Sequence, residues 1–157
     1  MADDSIRVWV ASMEELDAAA CLLAEFRSYL GAAEPSEESM RASVERIHRA
    51  GDGEYLLATR GGETEGVCQL RYRWSVWTDA EDCWLEDLFV RDEARGAGLG
   101  RALVEAAFER ARARGCRRIE LDTNADNAAA LRLYEASGFS REPKGPSQSL
   151  LLGRRLV

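Results

Sequence analysis

The segment from Trp84 to Arg101 limits the possible folds of this chain more than any other part of the sequence. An apolar run ends at a charged turn at residues 91–93, and the sequence Arg-Gly-Ala-Gly-Leu-Gly at residues 95–100 leads directly into helical spacing. This order predicts a strand, a glycine turn and the N-terminus of a helix. Glycine takes positive φ angles and lets a ligand approach the backbone, and the free N–H groups of a helix's first turn attract anions. The segment therefore predicts a phosphate-binding turn.

The spacing of the three glycines separates this turn from two common nucleotide-binding loops. A Walker loop needs Lys-Ser/Thr after its last glycine, and no such pair follows Gly100. The dinucleotide-binding order is G-x-G-x-x-G, whereas Gly96, Gly98 and Gly100 alternate. The pattern present is Arg-x-x-Gly-x-Gly, which begins at Arg95. From the turn alone, two further interpretations stay open: a nucleotide-binding protein of another type, and a tight strand-to-helix turn that binds nothing.

Length and composition predict one domain over residues 1–157. A chain of 157 residues with 46% hydrophobic and 31% charged residues suits a soluble globular protein with one core. No apolar run approaches the roughly 20 residues of a membrane helix, so we expect no membrane partner. The acidic N-terminus lacks the basic start and apolar segment of a signal peptide, which favours a cytoplasmic location. The net charge of −7 argues against a nucleic-acid partner and is compatible with a cationic substrate.

The cysteine and histidine content argues against a metal site. The four cysteines are widely separated in the sequence, and His48 is the only histidine. Zinc sites use closely spaced pairs of such ligands, so we expect no bound metal. In a reducing compartment the thiols are expected to be buried and inert.

Hydrophobic periodicity and turn residues predict an α/β arrangement around a mixed sheet. The predicted strands cover residues 6–10, 54–60, 66–77, 83–90 and 118–123, a segment beginning at Phe139, and residues 148–152. The predicted helices cover residues 13–30, 36–49, 99–114 and 127–137. The strands between residues 54 and 90 form an antiparallel meander. A strand–helix–strand unit makes a right-handed crossover, so the strand at 118–123 should be parallel to the one at 83–90.

Two motifs carry a resemblance to a known family. The first is Arg-x-x-Gly-x-Gly at residues 95–100, and the second is the segment NAAALRLYEASGF at residues 127–139. With these motifs the chain resembles the GNAT superfamily of acetyl-CoA-dependent N-acetyltransferases, whose signature is Gln/Arg-x-x-Gly-x-Gly/Ala. The resemblance is strongest over residues 54–139. It implies a central mixed β-sheet whose parallel strands splay apart, flanked by helices. It also implies direct transfer of an acetyl group from acetyl-CoA to an amine.

The resemblance further implies which residues hold acetyl-CoA. Backbone amides of the glycine turn would bind the pyrophosphate, and main-chain groups of the preceding strand would bind the pantetheine arm and face the thioester oxygen. For the side chains of that strand, plain core packing is the expectation. The implied cofactor-binding residues are Leu88, Phe89, Val90, Arg95, Gly96, Ala97, Gly98, Leu99, Gly100, Arg101 and Asn127.

The second motif implies a catalytic acid at Tyr134. A phenol has a pKa of about 10, close to that of a thiol, so it can give its proton to a departing thiolate. A tyrosine on an amphipathic helix is otherwise a core or interface residue. Asn127 precedes the same helix, where it either caps the helix or touches the cofactor, and the two roles are compatible.

Glu86 is the candidate base. A primary amine is protonated at neutral pH and must lose a proton before it attacks. The segment LEDLFV, at residues 85–90, resembles the corresponding strand of diamine (polyamine) acetyltransferases, which implies the base role for Glu86; a structural or substrate-orienting role is the alternative. Strict alternation along a strand would place Glu86 on the same face as Trp84, Leu88 and Val90, and Asp87 on the other face. We assign Asp87 to the substrate site.

Trp74 and Trp77 are the remaining candidate substrate residues. Their spacing of three puts them on opposite faces of a regular strand. One could line the acceptor pocket, where an aromatic ring suits an alkylammonium, while the other packs in the core or at a dimer interface. Asp79, Glu81 and Asp82 add carboxylates that either draw a cationic amine to the site or form a solvated loop.

The acceptor predicted from these features is a small cationic amine such as a polyamine. The alternatives are a peptide or protein amine, and a non-enzymatic module of the same fold that senses acyl-CoA. By analogy with the family, a homodimer is expected.

Overall fold

A computed structural model describes residues 5–141 and 150–156. The strands are β1 (Ile6–Val10), β2 (Gly53–Arg60), β3 (Gly66–Ser75), β4 (Ala80–Val90) and β5 (Ile119–Glu120). The helices are α1 (Leu16–Tyr29), α2 (Glu37–Ala50), α3 (Leu99–Ala113) and α4 (Ala128–Ala136). Single 3₁₀ turns precede α1, at Met13–Glu15, and follow β4, at Asp92–Ala94.

The five strands form one sheet in the order β1-β2-β3-β4-β5. All neighbours are antiparallel except β4 and β5, which are parallel. Helix α3 connects the two parallel strands, as the glycine turn and the helical spacing after it predict. The predicted α/β fold around a mixed sheet is therefore confirmed.

Helices cover both faces of the sheet and bury a separate apolar core on each. On one face, α3 packs its buried residues Leu99, Leu103 and Val104 against sheet residues such as Leu70. On the other face, α1 and α2 pack against Tyr55, Leu57, Val67 and Phe89 of the sheet. The strands β2, β3 and β4 are thus buried on both sides. The closely packed centre of the sheet is therefore a rigid support for the residues along the edge of β4.

Polar side chains cap the first turns of the N-terminal helices, as the sequence predicts. The carboxylate of Glu15 accepts a hydrogen bond from the N–H of Ser12 at 2.9 Å, which forms the predicted capping interaction. The Ser36 hydroxyl accepts from the N–H of Ser39 at 3.2 Å and caps α2. These caps supply acceptors for N–H groups that a helix leaves without partners.

The hairpin between β3 and β4 differs from the prediction. Strand β3 ends at Ser75, and Trp77 lies in the following turn, where Asp79 has a φ of 50°. Strand β4 then begins at Ala80, so Glu81 and Asp82 belong to it. Both of these carboxylates form ion pairs, Glu81 with Arg114 and Asp82 with Arg118, the latter at 2.6 Å. They are therefore neither part of a solvated loop nor free to draw in a cation.

The C-terminal strands are shorter than predicted or fall outside the described residues. Strand β5 covers two residues in place of the six at 118–123, since the chain leaves β4 after Glu120. Residues 139–141 and 150–152 are not in strands, while residues 148 and 149 of the last predicted strand lie outside the described part. Over residues 5–141 and 150–156, no helix has both the length and the apolar character needed to cross a membrane.

Candidate active site

A β-bulge in β4 shapes the centre of the site. Gln69 of β3 lies opposite Asp87, and the next residue, Leu70, lies opposite Leu85. Glu86 is the extra residue between these pairs and has no partner on β3. Such a bulge bends a strand and changes the direction of the side chains beside it.

The bulge reverses the alternation of side chains along β4. Cys83 and Leu85 belong to the core beneath α3, and Leu88 and Val90 pack against that same core. Residues of odd number therefore face α3 before the bulge, and residues of even number face it afterwards. The prediction that Trp84 shares a face with Leu88 and Val90 is wrong, because it assumed a regular strand.

Strands β4 and β5 separate soon after they meet. They pair only at Cys83–Ile119 and Trp84–Glu120, with one further bond from the Cys83 N–H to the Arg118 carbonyl at 3.1 Å. Beyond Trp84, no described strand pairs with this edge of β4. The resulting cleft measures about 550 Å³ and is lined by β4 residues 86–90, the glycine turn, residues 122 and 123, and α4. The predicted splay of the parallel strands is confirmed.

The glycine turn presents free backbone amides at one end of this cleft. Gly96 and Gly98 have φ angles of 76° and 93°, which L-residues with side chains rarely adopt. The first hydrogen-bonded N–H of the helix is that of Ala102, which donates to the Gly98 carbonyl at 3.0 Å. Within the described part of the chain, no group accepts a hydrogen bond from the amides of residues 96–101. The turn is thus equipped to bind an anion at the positive end of α3.

The side chains around the turn hold its shape. The Arg95 guanidinium donates to the Val90 carbonyl at 3.0 Å, pairs with Asp92 at 2.7 Å and stacks on the Tyr29 ring at 4.6 Å. Leu99 is buried in the core, and Ala97 packs against it. The side chains of these residues are thus engaged within the protein, and their main-chain N–H groups are the donors left for an anion.

Two residues in the first turn of α3, Gly100 and Arg101, also have defined structural roles. Arg101 pairs with Glu105 on the exposed side of α3 at 2.9 Å. A Cβ atom at Gly100 would lie 3.3 Å from Leu133 of α4, so glycine lets the two helices approach closely. The third glycine of the motif thus serves packing of α4 beside the cleft.

Tyr134 lies on the wall of the cleft that α4 forms. Its side chain is 9% exposed, packs edge-on against Phe139 and is among the residues that line the cleft. Burial, with smaller contributions from Cys68 and Asp87, raises the pKa of Tyr134 to about 12. The phenol is therefore protonated at neutral pH, as a proton donor must be.

Asn127 caps α4, and its contact with a cofactor stays a prediction. Its side-chain oxygen accepts a hydrogen bond from the Ala130 N–H at 3.2 Å and caps α4. The residue also lines the cleft between the parallel strands. Capping and contact with a ligand are thus compatible in this geometry.

The two carboxylates at the bulge have different environments. Glu86 is exposed and lines the cleft. Asp87 is partly buried, and burial, together with the charges of Glu86 and Asp122, raises its pKa from an ordinary value of 3.8 to about 6. A carboxylate that titrates near neutrality and lies in a cleft is a candidate functional group.

A second cleft adjoins the first at Asp87. It measures about 340 Å³ and lies between α1, α2 and the sheet. Asp87 lines both clefts, together with Phe26, which contributes to the wall of each. No individual residue of α1 or α2 was predicted to line a cleft, because the apolar faces of these helices have the pattern of ordinary core packing.

Trp74 and Trp77 lie away from both clefts. Their side chains are 62% and 92% exposed, and the described residues that line the two clefts do not include either of them. Neither tryptophan packs in the core, since both are exposed and Trp77 lies in the turn after Ser75, while the alternative of a dimer interface stays a prediction. The structure therefore brings together Glu86, Asp87, Tyr134, Asn127 and the glycine turn, and leaves the two tryptophans outside.

Comparison with known proteins agrees with this geometry. Residues 17–139 match the model of the Acetyltransferase (GNAT) family. The chain is 30% identical over 131 residues to the IAA acetyltransferase of Azospirillum brasilense, covering 83% of this chain and 82% of that protein. It is 31% identical over 124 residues to the thialysine N-epsilon-acetyltransferase of Bos taurus, covering 74% of this chain and 71% of that protein.

Other relatives are longer, and the fold agrees with a solved structure. The chain matches the mycothiol acetyltransferase of Sanguibacter keddieii at 39% identity over 90 residues, which are 57% of this chain and 29% of that protein. The crystal structure of a probable acetyltransferase superposes with a TM-score of 0.83 at 28% identity, covering 95% of this chain and 99% of that one.

Proposed function

Because this chain belongs to the GNAT family of acetyltransferases, we propose that it transfers the acetyl group of acetyl-CoA to the primary amine of a small cationic molecule. The observation that carries this proposal is the cleft between β4 and β5. Free amides lie at one end of it, and three carboxylates, those of Glu86, Asp87 and Asp122, and a protonated tyrosine lie along it. The amine acceptor named for the bovine relative is consistent with an amine here.

The residues of the cleft fit acetyl-CoA. Its diphosphate needs hydrogen-bond donors and positive potential, which the free amides of residues 96–101 and the N-terminus of α3 supply. Its extended arm needs main-chain partners, which the unpaired edge of β4 at residues 88–90 offers. When bound, acetyl-CoA supplies the acetyl group as an activated thioester.

Two proton transfers accompany the reaction, and side chains of the cleft can carry out both. The hydroxyl of Tyr134 keeps its proton at neutral pH and lies where a departing thiolate can take it. Burial raises the pKa of Tyr134 to about 12, so this transfer is less favourable than it would be for an ordinary phenol with a pKa of about 10. A carboxylate at the bulge takes up the proton that an alkylammonium must lose. Glu86 is the residue that the sequence nominates for this step, and Asp87 stands next to it at the meeting point of the two clefts.

The test is a transfer assay with isotope-labelled acetyl-CoA and a panel of amines. The panel contains monoamines, polyamines, aminoglycosides and peptides with free amino groups. Labelled product from small amines at rates well above the uncatalysed reaction supports the proposal. Transfer to peptides alone would identify a peptide amine acetyltransferase, and tight coenzyme A binding with no transfer would identify an acyl-CoA sensor; either result contradicts the proposal.

The homodimer and the cytoplasmic location stay predictions. Sedimentation at several protein concentrations tests the first, and fractionation of cells that express the tagged chain tests the second. A monomer at all concentrations would contradict the predicted homodimer.

A further inference from the structure

The tip of the hairpin between β3 and β4, residues 73–79, exposes a patch of large apolar side chains. Trp74, Val76 and Trp77 are 62%, 84% and 92% exposed, while Ser75 among them is 8% exposed. The buried Ser75 indicates that Trp74 and Val76 project to the same side, and Trp77 follows in the turn. Three neighbouring side chains of this size form an apolar patch, which marks an interaction surface more often than a single exposed residue does.

The patch continues the core face of the sheet beyond the end of α3. Tyr72 is 5% exposed and belongs to the core beneath α3, with the Arg114 guanidinium 4.0 Å from its ring centroid. Arg114 directly follows the last residue of α3. Trp74 lies two residues farther along β3 and therefore on the same face, where the helix no longer covers the strand. Its exposure thus follows from a strand that is longer than the helix packed on it.

The hairpin tip is held in one conformation by the rest of the fold. The ladder between β3 and β4 continues to the pair of Ser75 and Ala80. Glu81 is fixed by Arg114, and Asp82 by Arg118 at 2.6 Å. An ordered surface loses little conformational entropy when a partner binds.

A second group of exposed apolar residues lacks this order. Leu150, Leu151, Leu152 and Leu156 are 71–87% exposed and belong to no helix or strand. A segment of this kind must be ordered when it binds, which lowers the net free energy of association. The hairpin tip is therefore the better supported interaction surface of the two.

The size of the patch suits a second copy of the chain. An aromatic side chain can bury about 150–250 Å², so the three exposed side chains of the tip present on the order of 400–500 Å². Two such patches placed face to face, with their surroundings, would bury about 1,000 Å², close to the lower limit for a specific interface. Tryptophan is also among the residues that contribute most to the affinity of interfaces.

The charges of the tip are self-complementary. Arg73 and Asp79 are both exposed, and neither forms an ion pair with a described residue. Asp82, opposite Arg73 in the ladder, is already paired with Arg118. A two-fold axis brings the same patch of two copies together in reversed orientation, so the cation of each copy can meet the anion of the other.

We propose that the hairpin tip is the contact surface of a two-fold symmetric homodimer. Trp74 and Trp77 of the two copies pack together, and Arg73 of each copy pairs with Asp79 of the other. This inference does not depend on acetyl transfer. The tip precedes β4 and the glycine turn follows it, and the ends of this strand of 11 residues are about 30 Å apart. The residues that line the two clefts do not include the tip, so both clefts stay open in the dimer.

Sedimentation velocity at protein concentrations from about 1 to 100 μM tests the surface. We expect a dimer, and we expect Trp77→Ser to raise its Kd by about thirtyfold or more. Leu152→Ser is the matched control, since this side chain is 87% exposed outside the tip, and the Kd should stay within about twofold. A monomer at every concentration would overturn the inference. A dimer that Trp77→Ser leaves intact, or that Leu152→Ser dissociates instead, would overturn it as well.

Charge reversal tests the two-fold orientation. Arg73→Glu should weaken the dimer by about tenfold, because the symmetric contact occurs twice and each becomes a pair of like charges. Arg46→Glu, at an exposed position of α2, should leave the Kd unchanged. Adding Asp79→Lys to Arg73→Glu should return the Kd to within about threefold of the original, and no recovery would overturn the proposed pairing.

Coenzyme A binding shows that each variant is folded. The hairpin tip lies at the opposite end of β4 from the glycine turn, so coenzyme A affinity in calorimetry should stay within about twofold for all these variants. Loss of the dimer with coenzyme A binding retained supports the proposed surface. Loss of both together in Trp77→Ser would mean that the tip supports the fold, and would overturn the inference.

Discussion

Asp87 on β4 lies opposite Gln69 on β3, and this pairing follows a bulge that leaves Glu86 without a partner on β3. The bulge gives two successive acidic residues different surroundings. Asp87 is partly buried and lines both clefts, and Glu86 is exposed and lines one of them. The two carboxylates should therefore respond differently to pH and to substitution.

If Asp87, rather than its neighbour Glu86, takes the proton from the amine, Asp87 sets the acid limb of the pH profile. The base must be deprotonated, so kcat/KM should fall as the pH drops through about 6, the raised pKa of this carboxyl. The groups that act on it or share its clefts are Glu86, Asp122, Tyr55, Tyr134, Tyr29, Arg95, Arg101, Arg27 and Glu34. Glu86→Gln removes a like charge, lowers the pKa of Asp87 and should move the limb to lower pH. A limb that disappears in Glu86→Gln would instead make Glu86 the base.

Asp87→Asn should make the protein more stable while it lowers activity. A carboxyl with a raised folded-state pKa keeps its proton to higher pH than in the unfolded chain. Stability is therefore lost as the pH rises from near 3.8 to about 6, and the loss is complete above that range. At pH 8 we expect the free energy of unfolding of the variant to exceed the original by roughly 2 kcal/mol. Urea titrations should show this gain vanishing near pH 3.5, and a gain that is independent of pH would mean that the raised pKa is not its cause.

Tyr134→Phe should reduce kcat and spare coenzyme A binding. Loss of a positioned proton donor lowers rates by about a hundredfold to ten-thousandfold. The measurements are steady-state kinetics and calorimetric titration with coenzyme A. Tyr72→Phe is the matched control, because its hydroxyl is hydrogen-bonded to Glu54 outside both clefts. If Tyr134→Phe and Tyr72→Phe have the same kcat, Tyr134 is not the acid.

Gly98→Glu should abolish coenzyme A binding. The φ of 93° disfavours any side chain, a Cβ atom would lie 3.3 Å from Ile6, and the added carboxylate would repel phosphate. Gly115→Glu is a matched control at the other end of α3, with a φ of 84° and open space around it. Each variant should lose about 1–3 kcal/mol of stability from backbone strain. Only Gly98→Glu should lose coenzyme A affinity in calorimetry, and equal losses in both variants would mean that strain alone is responsible.

Replacing Trp74 and Trp77 together by serine should leave kcat/KM for small amines within about twofold of the original value. Both side chains lie outside the clefts, and substitutions of exposed residues usually have small effects. Sedimentation of the same double variant shows whether the exposed hairpin holds two copies together. A tenfold or larger rise in the KM for the amine, with an unchanged oligomeric state, would indicate that the tryptophans contact the substrate.

Much of the site was accessible from the sequence because it depends on local patterns. The glycine spacing that begins at Arg95 demands a strand-to-helix turn, and the crossover through α3 makes β4 and β5 parallel. The helix that carries Tyr134 follows from its apolar spacing and from Asn127 at its start. Each of these features needs only neighbours in the chain, so the order of residues was sufficient to predict the elements around the cleft. The splay of the parallel strands and the roles of the side chains along the cleft were implied by the resemblance to the family.

The rest was decided by contacts between distant segments. The bulge at Glu86 depends on how β4 registers against β3, and a shift of one residue reverses every side chain beyond it. The hairpin turn removed Trp77 from its strand, and Arg114 and Arg118 neutralised Glu81 and Asp82 from other elements. The second cleft exists because α1 and α2 leave a gap above Tyr55 and Asp87. Periodicity shows which face of a helix is apolar, but whether that face is filled or left open is determined only when the elements pack together.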